Sequence, residues 1–135
     1  MSIINPIRAV LDNQLTTTTD VPPIAFQNVP YEHTVDTLFV KATTIPTSRR
    51  ISSIASPNQL RYQGLYSILV CAPERQGPGV GYDWVDTLLD RFRAGSELSY
   101  NGQYVTIEYS EVGASYLDSP FYCTPITVGW YTYST

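Results

Sequence analysis

The stretch from Leu60 to Ala72, LRYQGLYSILVCA, decides the fold that the sequence predicts. Apolar and polar residues alternate along it, which is typical of a β-strand whose successive side chains point to opposite faces. The apolar face carries Leu60, Tyr62, Tyr66, Ile68 and Val70, and the other face carries Arg61, Gln63, Ser67 and Cys71. Its length predicts a central strand. Gly64 falls on the apolar face, where a missing side chain indicates a bulge or a closely packed neighbour.

Two stretches before this strand also favour β-structure, namely IAFQNV (residues 24–29) and the β-branched TLFVKATTI (residues 37–45). The segment 46–58, PTSRRISSIASPN, follows neither the helical nor the strand period and contains two prolines and four serines. It predicts a long, mobile, exposed loop, and connections of that length are usually functional or disordered. We therefore expect a partner to contact this segment, and its candidate interface residues are Arg49, Arg50, Ile51 and Ile54.

Two segments have the apolar spacing of amphipathic helices, residues 3–15 and residues 80–93. In the second, Asp83 and Asp86 are expected near the helix N-terminus, where carboxylates are favoured, and Gly95 is expected as a left-handed cap. Further strands are predicted at 104–109 after the Asn101-Gly102 turn, at 115–117 and at 124–133. This order predicts an α+β fold in a single domain over residues 1–135, with a mainly antiparallel mixed sheet and two helices packed on one face.

The glycine-rich stretch ERQGPGVG, residues 74–81, invites comparison with phosphate-binding loops. A P-loop requires Lys and Ser or Thr after its last glycine, and a dinucleotide loop requires G-x-G-x-x-G directly after a strand. Neither pattern is present, and Asp83 would repel a phosphate. The stretch predicts a strand-to-helix turn, with Glu74, Arg75 and Gln76 as further candidate interface residues that face a neighbour.

Catalytic and metal-binding residues are scarce. His33 is the single histidine, and with Cys71 and Cys123 it cannot supply a zinc set at short spacing. We expect no enzyme activity, no cofactor and no metal. Both cysteines lie in apolar strand-like runs and are expected to be buried thiols, and a disulfide is possible only if their strands are neighbours.

Composition limits the classes of partner. The chain has 43% hydrophobic and 15% charged residues, a net charge of −4 and a pI near 4.7, so it lacks the basic surplus that nucleic-acid binding requires. No apolar run approaches a membrane span, and we expect neither membrane association nor export. The eleven tyrosines fit two explanations equally, subunit interfaces and ordinary β-propensity.

The order of several segments resembles a known family across nearly the whole chain. The segments are INPIRAVLDNQL, IAFQNVPY, LFVKATTIP, RYQGLYSILVCAPERQGPG, DWVDTLLDRFRAG with LSYNGQYVTI, and PITVGWYTYST. They resemble the tail terminator proteins of long-tailed bacteriophages that are related to the lambda minor tail protein U. The resemblance implies a structural virion protein at the tail-neck junction, assembled in the host cytoplasm.

That resemblance further implies a hexameric ring that caps the tail tube, stops its polymerisation and provides a docking surface for the head connector. Its partners would be other copies of itself, the tail tube protein and the connector or stopper protein, while DNA passes through the lumen without specific binding. Two alternatives remain open from the residues alone: a head-tail connector or adaptor of the phage neck, and a small monomeric enzyme or binding module.

Overall fold

The structure is a computed structural model that describes residues 4–26, 37–51, 60–74, 79–118 and 120–134. Two helices, α1 (Ile4–Thr16) and α2 (Gly79–Arg91), accompany one sheet in an α+β arrangement. The strands are β1 (Ile24–Phe26), β2 (Phe39–Ile51), β3 (Leu60–Pro73), β4 (Glu97–Tyr100), β5 (Gln103–Val112), β6 (Tyr116–Asp118) and β7 (Phe121–Ser134).

The strands lie in the order β1-β2-β3-β7-β5-β4, and β6 pairs with β7 beside this path. Only β1 and β2 are parallel among the described pairs, so the prediction of a mainly antiparallel mixed sheet is confirmed. The long strands β3 and β7 pair over their full length, from Leu60 opposite Ser134 to Pro73 opposite Phe121. These two strands form the centre of the sheet.

Both helices pack on one face of this sheet, as predicted. The apolar face expected for β3 is the one that they cover, since Tyr66, Ile68 and Val70 are at most 1% exposed. The same cluster contains residues of β7 and of both helices: Ile126, Val128, Trp130, Ile7, Val10, Leu11, Leu15, Val85 and Leu88. The apolar residues that recur with the helical period in α1 and α2 therefore pack into one core with the apolar residues that alternate along the strands.

Hydrogen bonds fix the helices in place. The Tyr66 hydroxyl donates to the Asp12 carboxylate of α1 at 2.6 Å. At the ends of the helices, the Arg91 guanidinium donates to the Gln14 carbonyl at 2.9 Å and to the Thr17 hydroxyl at 2.8 Å. The Gln14 side-chain amide in turn donates to the Arg91 carbonyl at 2.7 Å. Carbonyls that a helix C-terminus leaves without partners are satisfied by the other helix.

Gly64 occupies the position where the sheet is most crowded. A Cβ atom there would lie 2.5 Å from the Ile45 carbonyl oxygen and 2.7 Å from the Trp130 ring. The pairing of β2 with β3 also shifts by one residue between Pro46 and Ser48, directly beside Gly64. Both features inferred from this glycine, a bulge and a closely packed neighbour, are present.

The prediction of a loop over residues 46–58 is wrong for its first six residues. Residues 46–51 continue β2 and pair with β3 as far as Ile51 opposite Leu60. The backbone of this segment is hydrogen-bonded to the neighbouring strand β3. The polar segment can therefore extend the sheet without an alternation of apolar residues. Ile54 and the rest of that segment lie outside the described residues.

Two smaller differences concern the second half of the chain. The helix α2 begins at Gly79, so Asp83 and Asp86 lie beyond its first turn and not at its N-terminus. The four-residue strand β4 was not predicted, although it pairs with β5 through the expected turn. At that turn Asn101 and Gly102 have φ of 50° and 83°, and Gly95 has φ of 88° after α2.

Substituting Gly64 tests the crowded position. Gly64→Ala is expected to lower the free energy of unfolding by about 1–3 kcal/mol, because backbone and the Trp130 ring must both move. Gly79→Ala is the control, since nothing lies within 4 Å of a Cβ at that helical position. Urea denaturation should show the control unchanged or slightly stabilised. Equal stability of the two variants would contradict the close packing at Gly64.

Alkaline titration tests the Tyr66–Asp12 hydrogen bond. Burial, and then the charge and hydrogen bond of Asp12, raise the pKa of Tyr66 well above its ordinary value of 10.0. A raised folded-state pKa means that this contribution is complete below pH 10 and is lost as the pH rises through the folded-state pKa. The unfolding free energy should therefore fall more steeply above pH 10 for the natural chain than for Tyr66→Phe. Parallel curves would contradict this account.

Candidate interface

The outer side of β2 has few partners among the described strands. The described part of the parallel strand β1 pairs with residues 40–42, and no described strand pairs with the outer side of residues 45–51, which we call the β2 edge. Pro46 lies within it and has no N–H, and the bulge follows directly. Proline, bulges and charges on an edge oppose the addition of another strand. Contacts made by the β2 edge would therefore depend on side chains.

The charge of β2 is entirely basic. It carries Lys41, Arg49 and Arg50 and no acidic residue, and all three side chains are exposed. Arg50 lies opposite Arg61 of β3, so that two positive charges are neighbours in the sheet. Like charges directly opposite each other are destabilising within a sheet. A negatively charged partner at this position would relieve the repulsion.

The opposite edge of the sheet is entirely acidic. The strands β4 and β5 carry Glu97, Glu108 and Glu111 and no basic residue, and all three side chains are exposed. Since β4 pairs with residues 103–106 of β5, the outer side of residues 108–112 faces no described strand. We call β4 together with residues 108–112 the β4–β5 edge.

Aromatic side chains cover the sheet face that is opposite the helices. Tyr131 and Tyr133 lie in edge-to-face contact with centroids 5.8 Å apart, and the Arg61 guanidinium lies 4.4 Å from the Tyr131 centroid. Arg61 also approaches the Glu108 carboxylate at 3.8 Å. Tyr109 lies against Gly129, where a Cβ would overlap its ring. Tyrosine suits surfaces that are half buried, so this face can meet a protein partner.

The structure separates the predicted interface residues into two groups. Arg49 and Arg50 lie near the end of β2, and the backbone of Ile51 ends that strand. Glu74 is exposed at the far end of β3, where its N–H donates to the Pro120 carbonyl at 3.1 Å. The rise per residue of a strand places these ends roughly 40 Å apart. Ile54, Arg75 and Gln76 lie outside the described residues.

Sequence reasoning missed the acidic edge. Glu97, Glu108 and Glu111 are spread over fifteen positions of the chain, and only the pairing of β4 with β5 brings them to one edge. The signal that could have found them is the absence of any Lys or Arg between Arg93 and the end of the sequence. Arg61 was assigned to the polar face of β3 but not to an interface.

Gly79 and Gly81, the described glycines of the stretch 74–81, lie in α2. The helix α2 begins at Gly79. Gly81 is buried, and a Cβ atom at this position would lie 3.4 Å from the Ala72 methyl group of β3. Within the described ranges, no group of three or more His, Cys, Asp or Glu side chains could hold a metal ion. None of the helices described is both long and apolar enough to cross a membrane.

A protein-family model described as phage tail terminator protein matches residues 6–130. The chain belongs to this family. A tail terminator has a structural role in the phage tail, as a component of the virus particle that contacts other tail or head components. The resemblance inferred from the sequence segments is thereby confirmed at the level of the family.

Solved structures agree with the fold. One of seven matching chains superimposes with a TM-score of 0.77, covering 100% of the terminator and 97% of that chain at 21% identity. At this identity the similarity shows a shared fold only. Among curated proteins, no sequence matches.

The contacts of Arg61 can be separated by substitution. Glu108→Gln should cost less than about 0.5 kcal/mol, because exposed ion pairs contribute little. Arg61→Ala should cost about 1 kcal/mol, since it also removes the guanidinium from the Tyr131 ring. Thermal unfolding measures both, with Glu111→Gln as the control for losing an exposed carboxylate. Equal losses for Arg61→Ala and Glu108→Gln would contradict the contribution of the ring.

Proposed function

We propose that this terminator acts as a hexameric ring at the tail-neck junction, where it caps the tail tube, stops its polymerisation and provides the docking surface for the head connector. The observation that carries this proposal beyond the family is the charge of the β2 edge and of the β4–β5 edge. One edge of the subunit is basic and the other is acidic.

Opposite charges on opposite edges favour one mode of association. Two β2 edges repel each other, and so do two β4–β5 edges, whereas the β2 edge of one copy attracts the β4–β5 edge of the next. Contacts of this head-to-tail kind close into a ring when the rotation between subunits permits. Repulsion between like edges disfavours the competing two-fold dimer. Arg49 and Arg50 would face Glu97 and Glu111 of the neighbouring copy.

The ends of the long strands remain available in such a ring. Edge contacts use the two sides of the sheet, and the ends near Leu60 and near Glu74 lie roughly 40 Å apart by strand rise. We assign one end to the tail tube protein and the other to the connector. A ring of chains that each carry a net charge of −4 disfavours DNA binding, so DNA would pass through without specific contacts.

Reversing the charge of one edge tests the ring. The double variant Arg49→Glu, Arg50→Glu is expected to lose oligomers in sedimentation velocity, both alone and with purified tail tubes, because both edges are then acidic. Electron micrographs should show tubes without a cap and of uncontrolled length. Raising the salt concentration should weaken the natural ring in the same direction, since salt screens exposed charges.

Two controls make the result specific. Arg93→Glu changes an exposed arginine that follows α2 and belongs to neither edge, and should leave the oligomer intact. Adding Glu97→Arg and Glu111→Arg to the double variant exchanges the two edges and should restore self-association. A monomeric natural chain in the presence of tubes would refute the ring. A ring that persists after reversal would refute the role of the edges, and binding to connectors but not to tubes would favour the adaptor alternative.

A further inference from the structure

Cys71 and Cys123 lie directly opposite each other in the two central strands. The register pairs Cys71 of β3 with Cys123 of β7, and each residue is 1% exposed. Both are free thiols. They belong to a small cluster with Phe39 and Phe121 on the face opposite the helices. The pairing of β3 with β7 brings the two cysteines together although they are far apart in sequence.

The hydrogen bonds of the sheet show which kind of pair the cysteines form. Directly opposite residues in antiparallel strands alternate between hydrogen-bonded and non-hydrogen-bonded pairs. The Glu74 N–H donates to the Pro120 carbonyl, and in the register of β3 and β7 these two residues are opposite each other, three positions beyond the cysteines. Glu74 and Pro120 are therefore a hydrogen-bonded pair. Because the two classes alternate along the strands, Cys71 and Cys123 are a non-hydrogen-bonded pair.

Pro125 gives an independent check of this alternation. It lies opposite Leu69, two positions from the cysteines and therefore in the same class of pair. As a proline it has no N–H to donate to β3, and its carbonyl accepts from Gly113 on the other side at 2.9 Å. Its polar groups thus point away from β3, as a non-hydrogen-bonded pair requires.

This class of pair suits a disulfide. Opposite Cα atoms in non-hydrogen-bonded pairs are about 4.5 Å apart, with their side chains closer than in the other class. Disulfides span Cα separations of about 4.4–6.8 Å. We propose that Cys71 and Cys123 form a covalent modification site, at which an oxidant converts the two thiols into a disulfide that joins β3 to β7. This inference rests on the register of the sheet and is independent of the function proposed above.

The reaction is a thiol–disulfide exchange with a small disulfide as the oxidant. The thiolate of one cysteine attacks one sulfur of the oxidant, which releases a first small thiolate and leaves a mixed disulfide. The second cysteine then attacks the protein sulfur of that mixed disulfide and releases the second small thiolate. The two protons of the cysteines go to the released thiolates. The protein is oxidised by two electrons, and the oxidant is reduced to two thiols.

Access to the pair limits the rate. Burial raises the pKa of both thiols, and the thiolate is the reacting form, so the closed state reacts slowly. The exposed three-residue strand β6 lies beside Cys123, with Tyr116 opposite it. Local opening of such a short strand requires less free energy than global unfolding. We expect oxidation to pass through this opening.

The test uses the natural chain with 2-hydroxyethyl disulfide and 2-mercaptoethanol as a redox buffer. After equilibration, N-ethylmaleimide in denaturant labels the remaining thiols, and intact mass with peptide mapping locates the linkage. The folded protein should lose both labels and two hydrogens in mass, through an intramolecular Cys71–Cys123 bond. Its ratio of disulfide to dithiol should exceed that of the urea-denatured chain about tenfold or more, because the fold holds the sulfurs together.

Every other product overturns the proposal. Two remaining labels, mixed disulfides without closure, or disulfide-linked dimers would each show that the folded sheet does not let the two sulfurs join. A ratio equal to that of the denatured chain would do the same. Cys71→Ala is the control, because its single thiol should give a label or a mixed disulfide and no internal bond.

Discussion

The contact between Trp130 and Gly64 is the constraint on which the rest of the sheet depends. Trp130 is the largest fully buried side chain of the described core, and its ring lies where a side chain of β3 would otherwise be. Because β3 and β7 are the central strands, their pairing there sets the register of both. A Cβ atom at Gly64 would also lie 2.5 Å from the Ile45 carbonyl oxygen and 2.9 Å from the Pro46 Cα, so three strands meet closely at this position.

Both flanking strands are irregular at the level of this contact. Pro46, Gly64, Trp130 and Ile107 form one row across the sheet, and the register shifts directly after Pro46 in β2 and after Ile107 in β5. Bulges bend a strand and increase its twist, so the sheet can curl around the large side chain. Each bulge also reverses the alternation beyond it. Arg50 thereby reaches the same face as Arg61, and Tyr109 reaches Gly129.

The periodicity of short segments predicted the features that are determined by residues close together in sequence. The faces of β3, the two helices and the turn at Asn101-Gly102 follow from residues close in sequence, and the structure has them. The extension of β2 to Ile51 could not be predicted, because an edge strand with polar residues on both faces has the composition of a loop. The acidic edge and the cysteine pair depend on register between distant strands, which the composition of a single segment does not contain.

The distribution of charge carries more information about assembly than the net charge. The total of −4 suggests only an acidic protein, yet β2 holds three of the eight basic residues and β4 with β5 hold none. Pro46 and the adjacent bulge oppose continuous strand addition at the β2 edge, a process that would lead to open fibres. Association through exposed charges is weaker and reversible, and it permits subunits to correct their positions before a ring closes. The same edge therefore opposes aggregation and favours ordered assembly.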